Sequence, residues 1–371
     1  MPSVIGIIYL LTVIIYVILA VLVIAGNTRE NELSTEKPKV SVIVAARDEE
    51  ENIAGCVRSL LNQDYPAHLL EIVIVNDRSG DNTYWEAEKA IGGNAGIKLI
   101  NSRTPPENLT GKQNAMKAGI EKSSGDIILS TDADCAVPPG WISSMVKHFK
   151  DDTGLVAGFS TPGFSGWFSA LQALDHIFLL SVASGFAGMG IPQSCIGNNI
   201  AFRREAYGQI GGYDGIGYTV TEDVGLLKKI VSETACKAVF NREQEALVKT
   251  KSANSFSELT RQRMRWLVGG YSASPLMLPV LTITFLSIVL SALTIVLYIP
   301  VGITTLCALA LILFLGANLS ILLSNYHFTG ASKVAIWYLP YQLFFIIYSI
   351  YFGLLFVLGI RNVKWKGRIY R

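Results

Sequence analysis

Charge is scarce in this 371-residue chain. Only 16% of the residues are Asp, Glu, Lys or Arg, against about 25% in an ordinary soluble domain. The net charge of +2 leaves no basic excess with which to grip a nucleic acid. Histidine is nearly absent: His68, His148, His176 and His327 are scattered, and none forms an evident Ser/His/Asp or Cys/His constellation. The five cysteines (Cys56, Cys135, Cys195, Cys236, Cys307) share no C-x-x-C spacing and have no histidine at zinc-ligand distance. That pattern argues against a zinc site and for reduced thiols on a cytoplasmic domain. No internal repeat or low-complexity tract is present.

What fills the chain instead is apolar: half of the residues are hydrophobic. Val4 to Ala25 is an uncharged run, long enough to cross a bilayer core of ~30 Å. Without a basic leader or a small-residue cleavage site, it reads as a retained anchor over residues 1–26. Residues 27–38 are a polar linker. Near the other end, Pro275 to Gly359 carries Lys333 as its one formal charge. Pro300 and Gly302 divide its first part into runs at 275–298 and 301–323, and a third spans about 334–360. Residues 275–360 are therefore expected to be membrane helices, preceded by an interfacial segment at 251–274 and followed by a basic tail at 361–371.

Between the apolar ends, residues 39–250 hold nearly all the acidic side chains and read as one water-soluble domain. Val40–Ala46 is a β-branched run without helical period, as expected of a buried strand. Glu71–Asn76, Ile97–Ile100 and Asp126–Thr131 are similar, and helical patterns at Glu49–Leu61 and Lys112–Lys122 alternate with them. Such alternation predicts right-handed βαβ units and a largely parallel sheet, whose ligands sit beyond the carboxyl ends of the strands. Polar clusters stand at three of those ends: Arg47-Asp48-Glu49, Asn76-Asp77-Arg78-Ser79, and Asp132 with Asp134.

A single strand-end Asp usually makes a turn or a helix cap. Asp132-Ala133-Asp134 would also suit Mg²⁺ or Mn²⁺, which take carboxylate oxygens and complete their shell with substrate phosphate. Gly111-Lys112 opens a helix and suits a phosphate, though a solvated helix start explains it as simply. Thr219-Val-Thr221-Glu222-Asp223 is a Thr-capped acidic helix start; Asp223 there is equally a candidate general base. Arg261-Gln262-Arg263-Met264-Arg265-Trp266 mixes basic and aromatic residues as a membrane interface does. It also offers a cation for a departing diphosphate and a flat ring for an acceptor.

The succession VSVIVAARDEEENI, VNDRS, GKQNAMKAGI, STDADC, TED and QRMRW, over about residues 38 to 270, resembles family 2 glycosyltransferases with a GT-A fold. The resemblance implies an α/β fold with a Rossmann-like, mixed but largely parallel sheet, flanked here by an N-terminal anchor and a C-terminal helical membrane domain. It also implies transfer of a sugar from a nucleoside-diphosphate sugar, a UDP-sugar first among them, with inversion at the anomeric carbon. Carried onto this chain, Asp223 would be the base and Arg265 would stabilise the leaving diphosphate. Ala45, Arg47, Glu49, Asp77, Lys112, Asp132 and Gln262 would bind the nucleotide sugar, and Asn198, Glu222 and Trp266 would face the acceptor. Asp132 and Asp134 would hold the metal.

Nucleotide sugars are cytosolic, which would place the soluble domain on the cytoplasmic face of an integral membrane protein. The end of the tail, Trp365-Lys366-Gly367-Arg368-Ile369-Tyr370, resembles members that glycosylate carotenoid- or ceramide-type lipids, so a membrane lipid is the expected acceptor. The alternatives are a processive polysaccharide synthase, since Q-x-x-R-W is frequent among those, and a non-enzymatic nucleotide-sugar binder or lipid-linked-sugar carrier. Three full crossings after residue 271 would put the tail outside. Yet its five positive charges belong inside, so one C-terminal segment is expected to be re-entrant or interfacial.

Overall fold

A computed structural model describes residues 2–270, 277–298, 305–330, 335–359, 363–365 and 368–370. The chain divides into two compact units. Unit 1 comprises Met1–Arg29, Phe164–Met189 and Ala253–Arg371; unit 2 comprises Glu30–Gly163 and Gly190–Ser252.

The first element, helix α1 (Pro2–Asn27), belongs to unit 1. Unit 2 then builds β1 (Val40–Ala46), α2 (Ile53–Leu61), β2 (Leu70–Asn76), α3 (Thr83–Ile91), β3 (Ile97–Asn101), α4 (Gly111–Glu121) and β4 (Ile127–Ser130). These match the strand and helix periods of the sequence closely. Helix α4 starts in a capping box: the Thr110 hydroxyl accepts from the Gln113 amide, and the Gln113 side chain accepts from that of Thr110. Next come α5 (Trp141–Val146), β5 (Thr153–Ala157) and β6 (Ser160–Pro162). After the long helix α6 (Trp167–Gly188) of unit 1, unit 2 resumes with β7 (Ile200–Arg203), α7 (Arg204–Gln209), α8 (Gly212–Ile216), α9 (Glu222–Glu233), β8 (Lys237–Phe240) and β9 (Val248–Thr250).

The main sheet has seven strands in the order β3-β2-β1-β4-β7-β5-β8. Its first four are parallel, with Val42 beside both Ile72 and Leu129. Strand β7 runs antiparallel to β4 and β5, making the sheet mixed. Val42, Val44, Ile74, Leu129 and Trp141 are fully buried in its core. Trp141 is anchored through its indole N–H to Asn199 at 2.9 Å, and Asn199 also donates to the Phe159 and Ala246 carbonyls.

Glu71 ties this sheet to the turn before β4. It accepts from the Ser41 hydroxyl, the Ser124 amide and hydroxyl, and the Lys98 ammonium. Burial alone would raise its pKa, but these donors hold it down at about 2. A carboxylate depressed on folding adds stability above its unfolded pKa and loses it as pH falls towards the folded value. Glu71→Gln is therefore expected to remove up to about 3 kcal/mol at neutral pH. It should also flatten the loss of thermal stability between about pH 5 and pH 2, as thermal melts at stepped pH would show.

Unit 1 gathers α1, α6, α10 (Phe256–Gly270), α11 (Leu278–Leu293), α12 (Thr305–Leu323), α13 (Tyr326–Thr329) and α14 (Tyr338–Val357), with a terminal hairpin of β10 (Val363–Trp365) and β11 (Arg368–Tyr370). Among the described residues, five helical stretches are long and apolar enough to cross a membrane: Val4–Asn27, Trp167–Gly188, Leu278–Leu297, Thr305–Leu323 and Ala335–Val357. The second was expected to lie inside a single soluble domain. Instead α6 clusters with the apolar helices, because Asp175 is its one formal charge and nearly all of its length is buried. Helices α1 and α6 cross in near backbone contact: a Cβ on Gly26 would lie 2.0 Å from the Gly185 carbonyl oxygen. Glycine is required there for approach rather than for turning.

Hydrogen bonds set the levels of these helices. Asn27, at the end of α1, donates to Ser181 in α6 and to Ser324 just past α12, each at 3.0 Å. Tyr9, near the other end of α1, meets Ser291 of α11 at 2.7 Å. Helix α14 begins level with the middle of α12: the Tyr338 hydroxyl donates to the Leu315 carbonyl, and Asn318 donates to Gln342 at 2.8 Å. Further along, Gly353 abuts the Phe285 ring in the first half of α11. Strand β10 lies against α10.

Candidate active site

Unit 2 brings four of the motifs together at the carboxyl ends of the sheet. Lys112, in the first turn of α4, places its ammonium 2.8 Å from Asp132 Oδ1 and 2.7 Å from Glu222 Oε1. The turn after β4 and the start of α9 are thus clamped by one cation. Burial works to lower the Lys112 pKa, but Asp132 and Glu222 outweigh it and raise it well above the usual lysine value. The sequence pointed Lys112 at a phosphate and Glu222 at an acceptor; here the two bond each other.

Asp223 follows directly. Its Oδ1 accepts from the Val224 amide at 2.8 Å, and a Cβ on Gly197 would come within 3.2 Å of its Oδ2. Gly197 therefore leaves the space against the carboxylate open. Thr221 occupies the N-cap position of α9 but makes no side-chain cap hydrogen bond. The expected Thr cap does not form, which weakens the purely structural account of the acidic pair. A small cleft lined by Lys112, Met116, Ser130, Gly197, Glu222 and Asp223 opens among these residues. Asn198 is buried with no hydrogen-bond partner for its Oδ1 among the described residues, in contrast to the fully bonded Asn199.

Along the same rim, Asp77 is buried after β2 and accepts from the Ser102 hydroxyl at 3.0 Å. Ala45 is paired in register with Val75, while Glu49 receives the Asn52 amide and Arg47 lies 3.6 Å from Asp48. Asp48 (φ 51°) and Arg78 (φ 56°) are non-glycine residues in the left-handed region, at the ends of β1 and β2. Such backbone is costly and tends to persist at functional rims.

Asp132 and Asp134 flank buried Ala133 and are both half-exposed. No group of three His, Cys, Asp or Glu side chains able to hold a metal occurs among the described residues. Two carboxylates still fit a hard cation that completes its shell with substrate oxygens and water. Cys135 beside them and Cys195 near Asp223 are inert thiols: burial first, then the neighbouring carboxylates, push both pKa values well above the ordinary range.

Gln262, Arg265 and Trp266 stand on α10 in unit 1, at the i, i+3 and i+4 spacing that puts them on one face. Sequence reading missed two residues beside them. Arg263 and Asp175 form a buried ion pair, and the guanidinium carbon of Arg263 sits 4.0 Å from the centre of the Trp266 ring. The available signal was a lone Asp-His pair within the otherwise uncharged stretch 167–188.

A mixed α/β sheet of this order, with acidic side chains and a lysine gathered at its carboxyl edge, is the architecture of the GT-A fold. Residues 41–211 match glycosyl transferase family 2, and residues 127–358 match glycosyl transferase family group 2. The chain belongs to the family 2 glycosyltransferases. It is 26% identical to a beta-monoglucosyldiacylglycerol synthase of Trichormus variabilis, across 65% of this chain and 51% of that protein. It is 25% identical to a poly-beta-1,6-N-acetyl-D-glucosamine synthase of Staphylococcus epidermidis, across 62% of this chain and 54% of the other. The chain thus spans about half the length of these curated relatives. Among solved structures, a mannosyltransferase from Pyrobaculum calidifontis in complex with GDP-Man and Mn²⁺ shares the fold, with a TM-score of 0.62 and 17% identity, across 97% of this chain and all of that one.

Proposed function

We propose that this chain moves a sugar, with inversion, from a nucleoside-diphosphate sugar to the hydroxyl of a membrane lipid at the cytoplasmic face. The observation that carries the reading is the meeting of Lys112, Glu222 and Asp223 in one cleft, with Asp132 ion-paired to the same lysine, in a chain that also holds a set of long apolar helices. Asp77 and the rim residues Ala45, Arg47 and Glu49 would bind the nucleoside. Asp132 and Asp134 would hold Mg²⁺ or Mn²⁺, whose charge would oppose that growing on the leaving diphosphate. Asp223 takes the proton of the acceptor hydroxyl as its oxygen bonds to the anomeric carbon. The diphosphate leaves from the opposite face with the bonding electrons, assisted by Arg265. Gln262 would serve the donor and Trp266 the acceptor, as the family resemblance implies.

Two observations favour a lipid over an extruded polymer. One relative is named as a monoglucosyldiacylglycerol synthase. In addition, the described helices of unit 1 meet on Tyr9, Phe314, Tyr341 and Asn318, all fully buried, so that no conduit runs among these described residues. The named polysaccharide synthase among the relatives keeps the second reading specific. Membranes containing the chain, incubated with a panel of labelled UDP- and GDP-sugars, are expected to yield label in the solvent-extracted lipid. Chelation should stop transfer, and Mg²⁺ or Mn²⁺ should restore it. Label in a long insoluble polymer would shift the assignment to a synthase, and no transfer from any donor would overturn it.

Chain connectivity supports a membrane layout in which α6 does not cross. It leaves unit 2 at Gly163 and re-enters it at Gly190, and strands on both sides of it, β5 and β7, are hydrogen-bonded in one sheet. Both ends of α6 would therefore lie on one side of a bilayer. Helix α14 would be the re-entrant segment. It starts at the level of Leu315, eight residues or about 12 Å short of the end of α12, and the hairpin after it returns to α10. The basic tail would then face the cytoplasm, as its charge requires. Positions 366 and 367 lie outside the described residues, so the test uses Ile369→Cys. In intact cells an impermeant maleimide should leave that cysteine unmodified until the membrane is opened; labelling from outside would refute the layout.

A further inference from the structure

We propose that Asp175, His176 and Arg263 are positioning residues that set the orientation of the Trp266 ring, the acceptor platform in the function proposed above, on which this inference rests. Arg263 is 3% exposed and Asp175 1%, and they are ion-paired across α10 and α6. A charge so deeply buried is strongly unfavourable unless paired, so Asp175 fixes where the guanidinium lies. That guanidinium does not use its fork as a hydrogen-bonding device: Nε and Nη1 have no hydrogen-bond partner among the described residues. Its group lies against aromatic rings instead, 4.0 Å from the centre of Trp266 and 6.0 Å from that of Tyr348 on α14. His176, the neighbour of Asp175, packs its ring 5.4 Å from the Trp266 ring at a 58° tilt. Trp266 is thus held by a cation and by an imidazole, both placed by consecutive residues of α6.

The arrangement explains why α6 carries its one acid and its one histidine side by side in an otherwise uncharged helix. It also separates two jobs of Arg263. The ion pair joins α6 to α10, while the planar face orients Trp266 through a cation–π contact. Only the second job bears on acceptor geometry.

A charge swap distinguishes them. Asp175→Arg combined with Arg263→Asp restores opposite charges across the two helices but removes the cation from beneath Trp266. The expected result is thermal stability recovered relative to either single variant, with kcat/KM for the acceptor at least about tenfold below the parent and nucleoside-diphosphate affinity unchanged. The fluorescence of Trp266, taken as the difference between each protein and the same protein with Trp266→Phe, should be shifted and more readily quenched by acrylamide. Recovery of stability, transfer and the Trp266 spectrum together would reduce the pair to a structural tie and overturn the proposal. Should the swap fail to fold, two further variants decide. Arg263→Lys keeps a charge facing Asp175 but replaces the planar guanidinium by a point charge, and the neutral pair Asp175→Asn with Arg263→Gln removes the cation. Parent-like transfer and fluorescence in both would refute positioning. If the parent chain transfers no sugar from any donor, the function proposed above fails; the fluorescence comparison still decides whether Arg263 and Asp175 orient Trp266.

Discussion

Asp223→Asn is expected to lower kcat for sugar transfer by between about a hundredfold and ten-thousandfold, the usual contribution of a positioned general base. The substitution keeps the shape of the side chain and an oxygen for the Val224 amide, which Asp223 accepts at 2.8 Å. The start of α9 and the space left by Gly197 should therefore persist. What is lost is the capacity to take a proton from the acceptor hydroxyl. Because the nucleotide contacts are assigned to other residues, the dissociation constant for the nucleoside diphosphate should stay within about twofold. Titration calorimetry alongside initial-rate measurements separates the two effects. Transfer at the parent rate would remove Asp223 from its role, and a parallel loss of nucleotide binding would make it a structural residue of the rim.

Lys112→Met is expected to damage both stability and donor use. In the parent, one ammonium neutralises Asp132 and Glu222 at 2.8 and 2.7 Å. Its removal leaves two carboxylates near each other with no shared cation. Breaking a buried pair costs about 3–5 kcal/mol. Asp132 here is one-third exposed and Lys112 one-quarter, so about 1–3 kcal/mol is the expected loss in thermal unfolding after allowing for screening. Transfer should fall by more than the loss of fold predicts, because the same clamp aligns the turn proposed to hold the metal with α9. The pH dependence carries a sign. The Lys112 pKa is raised on folding, so its contribution is complete below the ordinary lysine value and is lost only as pH climbs through the higher folded value. The stability difference between parent and variant should therefore hold constant from neutral pH to about pH 10. A difference that vanished below that pH would mean the clamp does not hold Lys112 in its charged form.

Much of unit 2 was legible because local pattern and tertiary role coincide there. Val40–Val44 and Ile72–Val75 are buried on both faces in parallel pairing, which is why they read as nearly continuous β-branched runs. The D-x-D pair, Asp77 and the Arg47–Glu49 cluster could be placed on one rim, since strand-end residues of a parallel sheet share an edge; the role of Asp223, at a helix start, came from the family resemblance. The antiparallel insertion of β7 between β4 and β5 was not legible: a four-residue strand carries no signal of its direction or neighbours. Nor was the partition of α6. Its apolar residues suit a soluble core as well as a helical bundle, and only packing assigns it to unit 1.

The sequence alone determined the family, the apolar ends of the chain and the residue types available for chemistry, because each is written in contiguous runs and short-range spacings. The tertiary structure decided which charges meet. Lys112, Asp132 and Glu222 span more than a hundred residues, and Asp175 and Arg263 are eighty-eight apart; no periodicity reports a pairing over such separations. The structure alone turned a basic residue inside QRMRW into the buried partner of an acid on another helix. The physical reason is common to both cases: an ion pair is selected by the burial of its two partners, and burial is a property of the packed chain.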